Sequence, residues 1–354
     1  MRKSLLIVNR QQFGYHIDAY YYCKYLSEVF DITYVCWDYG RPPITLPDVR
    51  ILYIPREGAK PVRYLRFLTA AIKQARRGCD ICFLTYFPGC SAVKFAYLRG
   101  KHVFDIRTAE IAEHPGMRVL LDCLLKLEAR FFENITVISP SLAKRLGLLG
   151  SKVHILPLGA DVISSTKKKF DSLQLIYVGA LHNRKIEDTV VGFHRFYRDF
   201  HNRIQCSYKI IGSGHANEEN HLRQLVRRLN LQSVVEVLGP IPHDRLSPFF
   251  DASNVGVSYI PMTNFYDVQP PTKTFEYLLS GMAVIATSTT ENMRVVNMKN
   301  GVLIDDNAKS FSSGLKKIYE RKERLDSLSI RKEGQPYLWR SIVENNLRPY
   351  LEQL

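Results

Sequence analysis

The segment 268–287 reads VQPPTKTFEYLLSGMAVIAT and joins a helix to a buried strand. Pro270 and Pro271 fix φ at the start of that helix, where a missing N–H costs nothing. Gly281 ends the helix just before the apolar run AVIAT. Open parallel sheets bind ligands at the carboxyl ends of their strands, and a helix that begins there presents free N–H groups to a phosphate. The segment therefore predicts an anion-binding helix in an α/β domain.

The same alternation of β-branched runs and helix-period segments extends along all 354 residues. It is typical of parallel sheets with crossover helices, and the length suits two domains. The predicted strands cover residues 5–9, 32–37, 49–54, 81–86, 102–106 and 135–139, then 173–179, 208–212, 234–239, 255–260, 283–287 and 301–305. We therefore predict an α/β protein with two Rossmann-like parallel-sheet domains.

A linker is indicated at 156–172, LPLGADVISSTKKKFDS, by its Pro, Gly, Ser and Lys content. With the boundary near Ser165, the prediction is an N-terminal domain over 1–164 and a C-terminal domain over 165–330. The remaining residues, 331–354, carry an amphipathic helix that follows the second sheet. Nothing in the sequence requires this helix to stay with the second domain.

Composition limits the classes of protein that the chain can belong to. Its seven cysteines are an odd number and lie mostly in apolar runs, which favours a reduced, cytoplasmic compartment. Cys79 and Cys82 form a C-x-x-C without a second pair, so strand packing is favoured over redox or metal chemistry. No apolar run approaches the roughly 18 residues of a membrane span. The net charge of +15 attracts polyanions, whether nucleotide phosphates, anionic lipid headgroups or nucleic acid.

Four turns at strand ends carry the candidate ligand-binding residues. In the helix that starts at Pro270 and Pro271, Lys273 lies on the first turn near Thr272, and Glu276 lies one turn inside, where its oxygens can accept hydrogen bonds from a ribose diol. A solvated helix face is the alternative for Glu276 and Lys273. The other three turns carry His182, Arg184 and Lys185 after 173–179, Gly212 and Gly214 after 208–212, and Ile241 after 234–239.

Arg184 and Lys185 are adjacent cations that match a diphosphate, the first as a fork and the second as a point charge. A merely basic loop is the alternative reading of this turn, given the excess of cations in the whole chain. Gly212 and Gly214 alone are weak evidence, because tight turns require glycine in any case. Their weight increases because all these turns project toward one edge of the predicted sheet.

The ordered segments VGALHNRK, IIGSG, VLGPIPHDRL and PPTKTFEYLLSGMAVIAT resemble the donor domain of family-four retaining glycosyltransferases. FENITVISPSLAKRL (132–146) and HILPLGADV (154–162) are similar to the segments that lead into the linker of this family. The resemblance covers about the last two-thirds of the chain. It implies the GT-B fold, with two Rossmann-like domains facing a central cleft, and a final helix that crosses back onto the N-terminal domain.

The resemblance also implies roles for particular residues. Glu276 matches the second Glu of the E-x7-E element, which holds the donor ribose. Lys185, with Arg184 as a neighbouring cation, matches the lysine that neutralises the donor diphosphate. Gly14 falls where the family has a glycine-rich turn near the acceptor and the donor phosphate.

Three departures from the family pattern affect the same site. Val268 replaces the first Glu of E-x7-E, so Asp267 or Gln269 is the candidate for the contact to the sugar. Ala180 stands where many members have an arginine. Arg107 stands where many members place a catalytic histidine, although some branches also carry Arg there.

No Ser–His pair and no Asp-x-Asp motif is evident, so we expect fixed cations and a helix N-terminus to stabilise the leaving group without a metal or other cofactor. The predicted function is transfer of a sugar from a nucleoside-diphosphate sugar to a glycan or lipid-linked acceptor in cell-envelope polysaccharide synthesis, with retention implied by the resemblance. The alternatives are a catalytically silent nucleotide-sugar-binding partner protein and a nucleotide-sugar epimerase. Nucleic-acid binding ranks last, because no known module is present.

The basic amphipathic helix at 61–77, PVRYLRFLTAAIKQARR, predicts attraction to an anionic membrane surface. Val62, Leu65, Leu68, Ile72 and Ala75 share one side of this helix, next to a stripe of cations. The alternative is an ordinary crossover helix that packs its apolar side on the sheet. The predicted location is therefore the cytoplasm, with peripheral attachment to the inner face of the cell membrane as a further possibility.

Overall fold

A computed structural model describes residues 2–108, 115–148, 150–215, 217–264 and 266–354, and within these ranges it leaves the side chains of residues 115 and 118 undescribed. Contacts divide the chain into two units. The N-terminal unit comprises Met1–Leu158 together with Trp339–Leu354, and the C-terminal unit comprises Gly159–Leu338. These boundaries lie a few residues from the predicted ones at 164/165 and 330/331.

The N-terminal unit is built on a seven-stranded parallel sheet in the order β3-β2-β1-β4-β5-β6-β7. Its strands are β1 (Lys3–Val8), β2 (Phe30–Asp38), β3 (Val49–Pro55), β4 (Ile81–Thr85), β5 (Lys101–Ile106), β6 (Asn134–Val137) and β7 (Val153–Ile155). Its first helices are α1 (Ile17–Leu26), α2 (Lys60–Arg76), α3 (Ser91–Ala96), α4 (Pro115–Ala129) and α5 (Pro140–Leu146). Helices cover both faces of such a sheet, which is why its strands read as nearly continuous apolar runs.

The C-terminal unit contains a six-stranded parallel sheet in the order β10-β9-β8-β11-β12-β13. Its strands are β8 (Leu173–Val178), β9 (Cys206–Ile211), β10 (Val235–Gly239), β11 (Val255–Ser258), β12 (Ala283–Thr287) and β13 (Gly301–Ile304). Its helices are α6 (Ile186–Phe200), α7 (Glu218–Arg228), α8 (Ser247–Asp251), α9 (Thr272–Leu279), α10 (Thr290–Met293), α11 (Ala308–Glu320) and α12 (Ser327–Gly334). The prediction of two Rossmann-like parallel-sheet domains is confirmed.

The strand order of the C-terminal unit fixes where a ligand is expected. β8 lies between β9 on one side and β11 on the other, so the winding of the sheet reverses between β8 and β11. Ligands of open α/β sheets bind at such a reversal, outside the carboxyl ends of the two strands. The turns after β8 and β11 are therefore the first place to look for a site.

The last residues of the chain pack on the N-terminal unit. Helix α13 (Trp339–Ile342) continues through one π-helical turn, Val343–Leu347, into α14 (Arg348–Glu352). The Trp339 ring stacks on Tyr21 with centroids 5.4 Å apart and meets Tyr22 edge-on at 6.1 Å. Trp339 is only 1% exposed, so this contact closes the apolar core over α1.

Helix α2 packs on its sheet through Phe67, Ala71 and Ala75, which are fully buried. Val62 and Leu65, near its start, are exposed instead. The helix is therefore a crossover helix with an exposed N-terminal end. None of the helices in the described part of the chain combines the length and the apolar character that a membrane span requires.

Candidate functional site

A cavity of about 290 Å³ opens at the carboxyl ends of β8 and β11, where the winding of the C-terminal sheet reverses. Its walls come from the turn after β8, the end of β11 and the start of α9. Gln269 and the Pro270–Pro271 pair line it beside Thr272 and Lys273. The segment that predicted an anion-binding helix therefore forms one wall of the cavity.

Helix α9 begins at Thr272 without a side-chain cap, because the residue at its N-cap, Pro271, has no hydrogen-bond acceptor in its side chain. Leading amide groups of a helix have no partner within the helix, and the helix dipole makes this end positive. Thr272 and Lys273 both line the cavity, so the free end of α9 faces it. A phosphate placed there would receive main-chain hydrogen bonds and a nearby ammonium charge.

Glu276 lies one turn further along α9, outside the residues that line the cavity, and is only 6% exposed. Its Oε2 is 2.6 Å from Lys273 Nζ, and its Oε1 is 3.4 Å from His243 Nε2. Burial alone would raise the pKa of this carboxyl, but the hydrogen bond from His243 and the charge of Lys273 hold its pKa below the ordinary value. Glu276 is therefore a buried carboxylate, and the alternative of a solvated helix face does not describe it.

Asp161 belongs to the same neighbourhood. Burial raises its pKa, the charge of His243 lowers it, and the charge of Glu276 raises it further. The sequence did not single out His243 or Asp161, because they lie 33 and 115 positions from Glu276 and follow no spacing that links them to it. Only the fold brings these side chains together.

The turn after β8 separates the two adjacent cations. Arg184 lines the cavity, and its guanidinium lies 4.2 Å above the centroid of the Tyr266 ring. Its Nη1 is buried and has no hydrogen-bond partner among the described residues. A buried guanidinium N–H without a partner is costly, and a bound anion would satisfy it.

Lys185 lies outside the residues that line this cavity. It precedes α6 with φ 53°, in the left-handed region, and its side chain is 54% exposed. Its Nζ is 3.4 Å from Asp306 Oδ2. The fold thus places Arg184 in the cavity wall and pairs Lys185 with a carboxylate beside it.

The glycines of the turn after β9 have a packing role. A Cβ on Gly212 would overlap the carbonyl oxygen of Gly179, so this close approach of two turns requires glycine. A Cβ on Gly214 would instead meet the side chain of Glu218, whose carboxylate accepts hydrogen bonds from the His215 N–H and from His182. Neither Gly212 nor Gly214 lines the cavity, and Ile241, after β10, packs partly buried against the core.

The two candidates for a sugar contact have different surroundings. Asp267 accepts hydrogen bonds from the Thr290 N–H and Oγ1 at 2.8 and 2.6 Å, so it holds the start of α10. Gln269 lines the cavity. Val268, which lies between them in the sequence, is buried.

Arg107 and Gly14 lie in the N-terminal unit. Arg107 is 8% exposed, donates to Asp18 Oδ2 at 2.8 Å and to the Leu156 carbonyl at 2.7 Å, and lies 3.8 Å from Asp105. Burial opposes its charge, but Tyr22 and the two carboxylates raise the pKa of its guanidinium. Gly14 has φ 82°, and a Cβ there would overlap Ile44. In this arrangement Arg107 acts as a buried link between β5 and α1, and Gly14 as a tight turn.

Residues 172–321, which contain all six strands of the C-terminal sheet, match the family model described as glycosyl transferases group 1. No curated protein sequence matches the chain significantly.

Solved structures share the fold over almost the full chain. Sucrose-phosphate synthase from Thermosynechococcus elongatus is 16% identical with a TM-score of 0.73, covering 99% of each chain. Anabaena Alr3699/HepE, solved in complex with UDP, is 12% identical with a TM-score of 0.75, covering 99% of this chain and 100% of that one. The lipopolysaccharide outer core galactosyltransferase WaaB, in its apo form, is 11% identical with a TM-score of 0.73 and the same coverage. These likenesses establish the GT-B class of fold.

Proposed function

We propose that the chain is a glycosyltransferase that binds a nucleoside-diphosphate sugar in the cavity between β8 and β11. The observation that carries this proposal is the cavity at the sheet reversal, which combines the free start of α9 with the partnerless Nη1 of Arg184. The match of residues 172–321 to the group 1 family supports the same reading. A nucleotide donor is supported by Anabaena Alr3699/HepE, which shares the fold and was solved in complex with UDP.

The donor would be held at three points. Its diphosphate would lie at the start of α9, between the Thr272 and Lys273 main chain and Arg184. Its ribose hydroxyls would donate to the Glu276 carboxylate, which stays ionised because its pKa lies below the ordinary value. Gln269 would contact the sugar, since it lines the cavity in the region where the family has a carboxylate.

Catalysis would come from fixed positive charge. As the bond between the sugar and the diphosphate breaks, negative charge grows on the leaving oxygen. Arg184, Lys273 and the dipole of α9 oppose that charge and need no reorganisation, because the surrounding fold holds them in place. Lys185 could add a second charge by leaving Asp306, from which it is separated by 3.4 Å. Retention and independence from metal are part of this proposal, the former by family resemblance.

The proposed acceptor is a glycan or a lipid-linked sugar of the cell envelope. One of the matching structures is a lipopolysaccharide outer core galactosyltransferase, and this likeness supports an envelope glycan as the class of acceptor. We propose a cytoplasmic location at the inner face of the membrane, where such acceptors carry their sugars. The N-terminal unit would bind the acceptor, as the GT-B resemblance implies.

A donor panel tests the proposal. The purified chain is incubated with UDP-, GDP- and ADP-sugars, and release of nucleoside diphosphate and free sugar is measured with and without candidate acceptors. We expect one base to be preferred and release to rise with acceptor. Nucleotide binding without any release would favour a silent binding protein, and interconversion of the donor without an acceptor would favour an epimerase.

A further inference from the structure

An apolar stripe on the N-terminal unit is exposed although its residues are of the kind that normally fill a core. The apolar stripe consists of Phe95, Leu98, Met117, Leu120, Leu124, Leu127 and Phe131. These side chains are between 38% and 72% exposed. On α4 the stripe recurs at intervals of three and four residues, so its members lie on one side of the helix.

A different side of α4 fixes the helix to the unit. Leu125 and Ala129 are buried, and the buried Glu128 accepts hydrogen bonds from the Gly89 and Ser91 N–H groups at 2.6 and 3.0 Å. The apolar stripe is therefore not needed to hold α4 in place. Exposed apolar patches of this extent on a protein surface usually mark an interaction site.

The stripe continues from α4 onto α3. The Phe95 and Phe131 rings meet edge-on with centroids 5.1 Å apart, and Lys94 Nζ donates to the Phe131 carbonyl. At the same end α3 is joined to α2, because Arg76 Nε donates to the Ala96 carbonyl at 3.2 Å. Helices α2, α3 and α4 are thus neighbours along one surface.

The charge of this surface is strongly positive. The sequence places twelve cations in segments 60–77, 91–101 and 115–131, against two acids, Asp122 and Glu128. Neither acid offsets the cations at the surface, since Asp122 lies 3.6 Å from Arg145 and Glu128 is buried on backbone N–H groups. An exposed apolar stripe flanked by a one-sided excess of cations is typical of a helix that lies at an anionic lipid interface.

We propose that the apolar stripe of α3 and α4 inserts into the headgroup region of an anionic phospholipid bilayer, with the cations of α2, α3 and α4 around it. Helix α4 would lie parallel to the membrane plane. Its side chains at the boundary between headgroups and acyl chains would be Met117, Leu120, Leu124 and Leu127. A second copy of this chain is a poorer occupant, since two such surfaces would bring like charges together. The proposal is independent of the proposed donor site, since its residues all belong to the N-terminal unit.

Vesicle flotation provides the first test. The full chain is mixed with phosphatidylcholine vesicles with and without phosphatidylglycerol, at low and high salt. We expect binding that requires phosphatidylglycerol and weakens with salt. The double variant Leu120→Gln/Leu127→Gln should bind roughly tenfold more weakly at low salt. The matched control, Met298→Gln/Leu328→Gln, alters two exposed apolar residues of the C-terminal unit and should bind like the unaltered chain.

Cys123 supplies a second measurement that needs no variant. It is the exposed member of the seven cysteines, the other six being buried, and it lies on α4 beside the stripe. A polarity-sensitive fluorophore attached to Cys123 should shift its emission to the blue with anionic vesicles, and brominated lipids should quench it. Thermal unfolding of each variant, and its nucleoside diphosphate release without vesicles, should be unchanged.

Three results would overturn the proposal: equal vesicle binding by the stripe variant and the unaltered chain, an unshifted probe on vesicle-bound protein, or vesicle binding that ignores lipid charge. Concentration-dependent dimers without lipid, lost in the stripe variant, would instead assign the stripe to a second copy. If neither the unaltered chain nor any variant released nucleoside diphosphate, the proposed transferase activity would be contradicted. The vesicle-binding results would then still test the membrane proposal by themselves.

Discussion

Glu276 is the residue whose surroundings most clearly suggest a ligand. Its carboxylate is buried, ionised and held by Lys273 and His243, and ribose hydroxyls are suited to its remaining acceptor capacity. Glu276→Ala should weaken nucleoside diphosphate binding by about 1.5–3 kcal/mol, as expected for loss of charge-assisted hydrogen bonds. Isothermal titration with the preferred nucleoside diphosphate measures this change.

Glu291→Ala is the matched control for this substitution. Glu291 is a similarly buried carboxylate of the C-terminal unit, but it is paired with Arg294 at 3.5 Å and not with the cavity-lining Lys273. Its removal should lower the free energy of unfolding and leave the nucleotide affinity unchanged. Equal affinity losses in both variants would mean that Glu276 acts only through stability.

Arg184 and Lys185 are adjacent in sequence, but we expect them to contribute unequally. Arg184→Ala removes a guanidinium from the cavity wall and should lower kcat/KM by roughly 10- to 100-fold, while binding of a phosphate-free nucleoside stays the same. Lys185→Ala should have a smaller effect, because Asp306 competes for its ammonium group. Steady-state kinetics on both variants would contradict this assignment if Lys185→Ala proved the more damaging.

The contrast between these two cations shows that the sequence predicts their position at a strand end but not the directions of their side chains. The motif LHNRK placed both at the correct strand end, as strand and helix periodicity predict. Their directions depend on the backbone, where Asn183 and Lys185 both have positive φ, and such conformations are rare outside glycine. Asparagine is enriched at positive φ, so Asn183 gives some indication of this turn, but neither the type nor the spacing of Lys185 does.

At the scale of elements, the close approach of the turns after β8 and β9 makes a prediction about stability. Gly212→Ala would place a Cβ against the Gly179 carbonyl, so the free energy of unfolding of the variant should be about 1–3 kcal/mol lower than that of the unaltered chain. Gly116→Ala is the control, because a Cβ there meets no atom and helix α4 favours alanine over glycine. Urea denaturation of both variants tests this, and an unaffected Gly212→Ala would show that the turns can separate freely.

Another prediction concerns Asp105 on β5. Burial raises the pKa of this carboxyl to about 6 although Arg107 and Thr136 oppose the rise. The folded protein therefore binds a proton that the unfolded chain releases near its ordinary pKa of about 4. The stability that this proton contributes is present below pH 4 and is lost as the pH rises through about 6.

Asp105→Asn should remove this part of the pH dependence. The difference in unfolding free energy between the variant and the unaltered chain should shift by on the order of 2 kcal/mol between pH 4 and pH 7, in favour of the variant at the higher pH. Urea denaturation of both proteins at each of these two pH values measures this difference in unfolding free energy. A difference that stays constant over this range would mean that Asp105 is ionised throughout, held by Arg107.

Most of the strands can be predicted from the sequence. All twelve predicted strands overlap strands of the structure, because parallel strands buried on both faces give dense apolar runs. The strand β7 was not predicted as a strand. It has three partly buried residues at the edge of its sheet and is followed closely by Pro157, so it carries little apolar signal.

At the scale of the whole molecule, the two units carry the two proposed sites separately. The cavity proposed to bind the donor lies within the C-terminal unit, and the apolar stripe lies within the N-terminal unit. The sequence motifs predict ligand-binding residues at the strand ends where the former lies. They predict membrane attraction on α2, which buries Phe67, Ala71 and Ala75 and leaves Val62 and Leu65 exposed, whereas the apolar stripe lies on α3 and α4. Amphipathicity alone does not tell which side of a helix the fold covers.

The proposed mechanism also predicts how the enzyme responds to chelation. In that mechanism protein cations and the start of α9 would take the place of a divalent ion beside the diphosphate, so transfer should persist in EDTA. Within the described residues, no group of three or more His, Cys, Asp or Glu is arranged as a metal site. Activity that EDTA abolishes and magnesium or manganese restores would contradict this mechanism.

The most direct test of the central claim is release of nucleoside diphosphate from a panel of nucleotide sugars by the unaltered chain and by Arg184→Ala, in the presence of acceptor glycans. The account predicts that one donor is turned over by the unaltered chain and that Arg184→Ala turns over the same donor roughly 10- to 100-fold more slowly, while it still binds the phosphate-free nucleoside. Release from no donor, or equal release by the two proteins, would contradict the assignment of this cavity as the site of transfer.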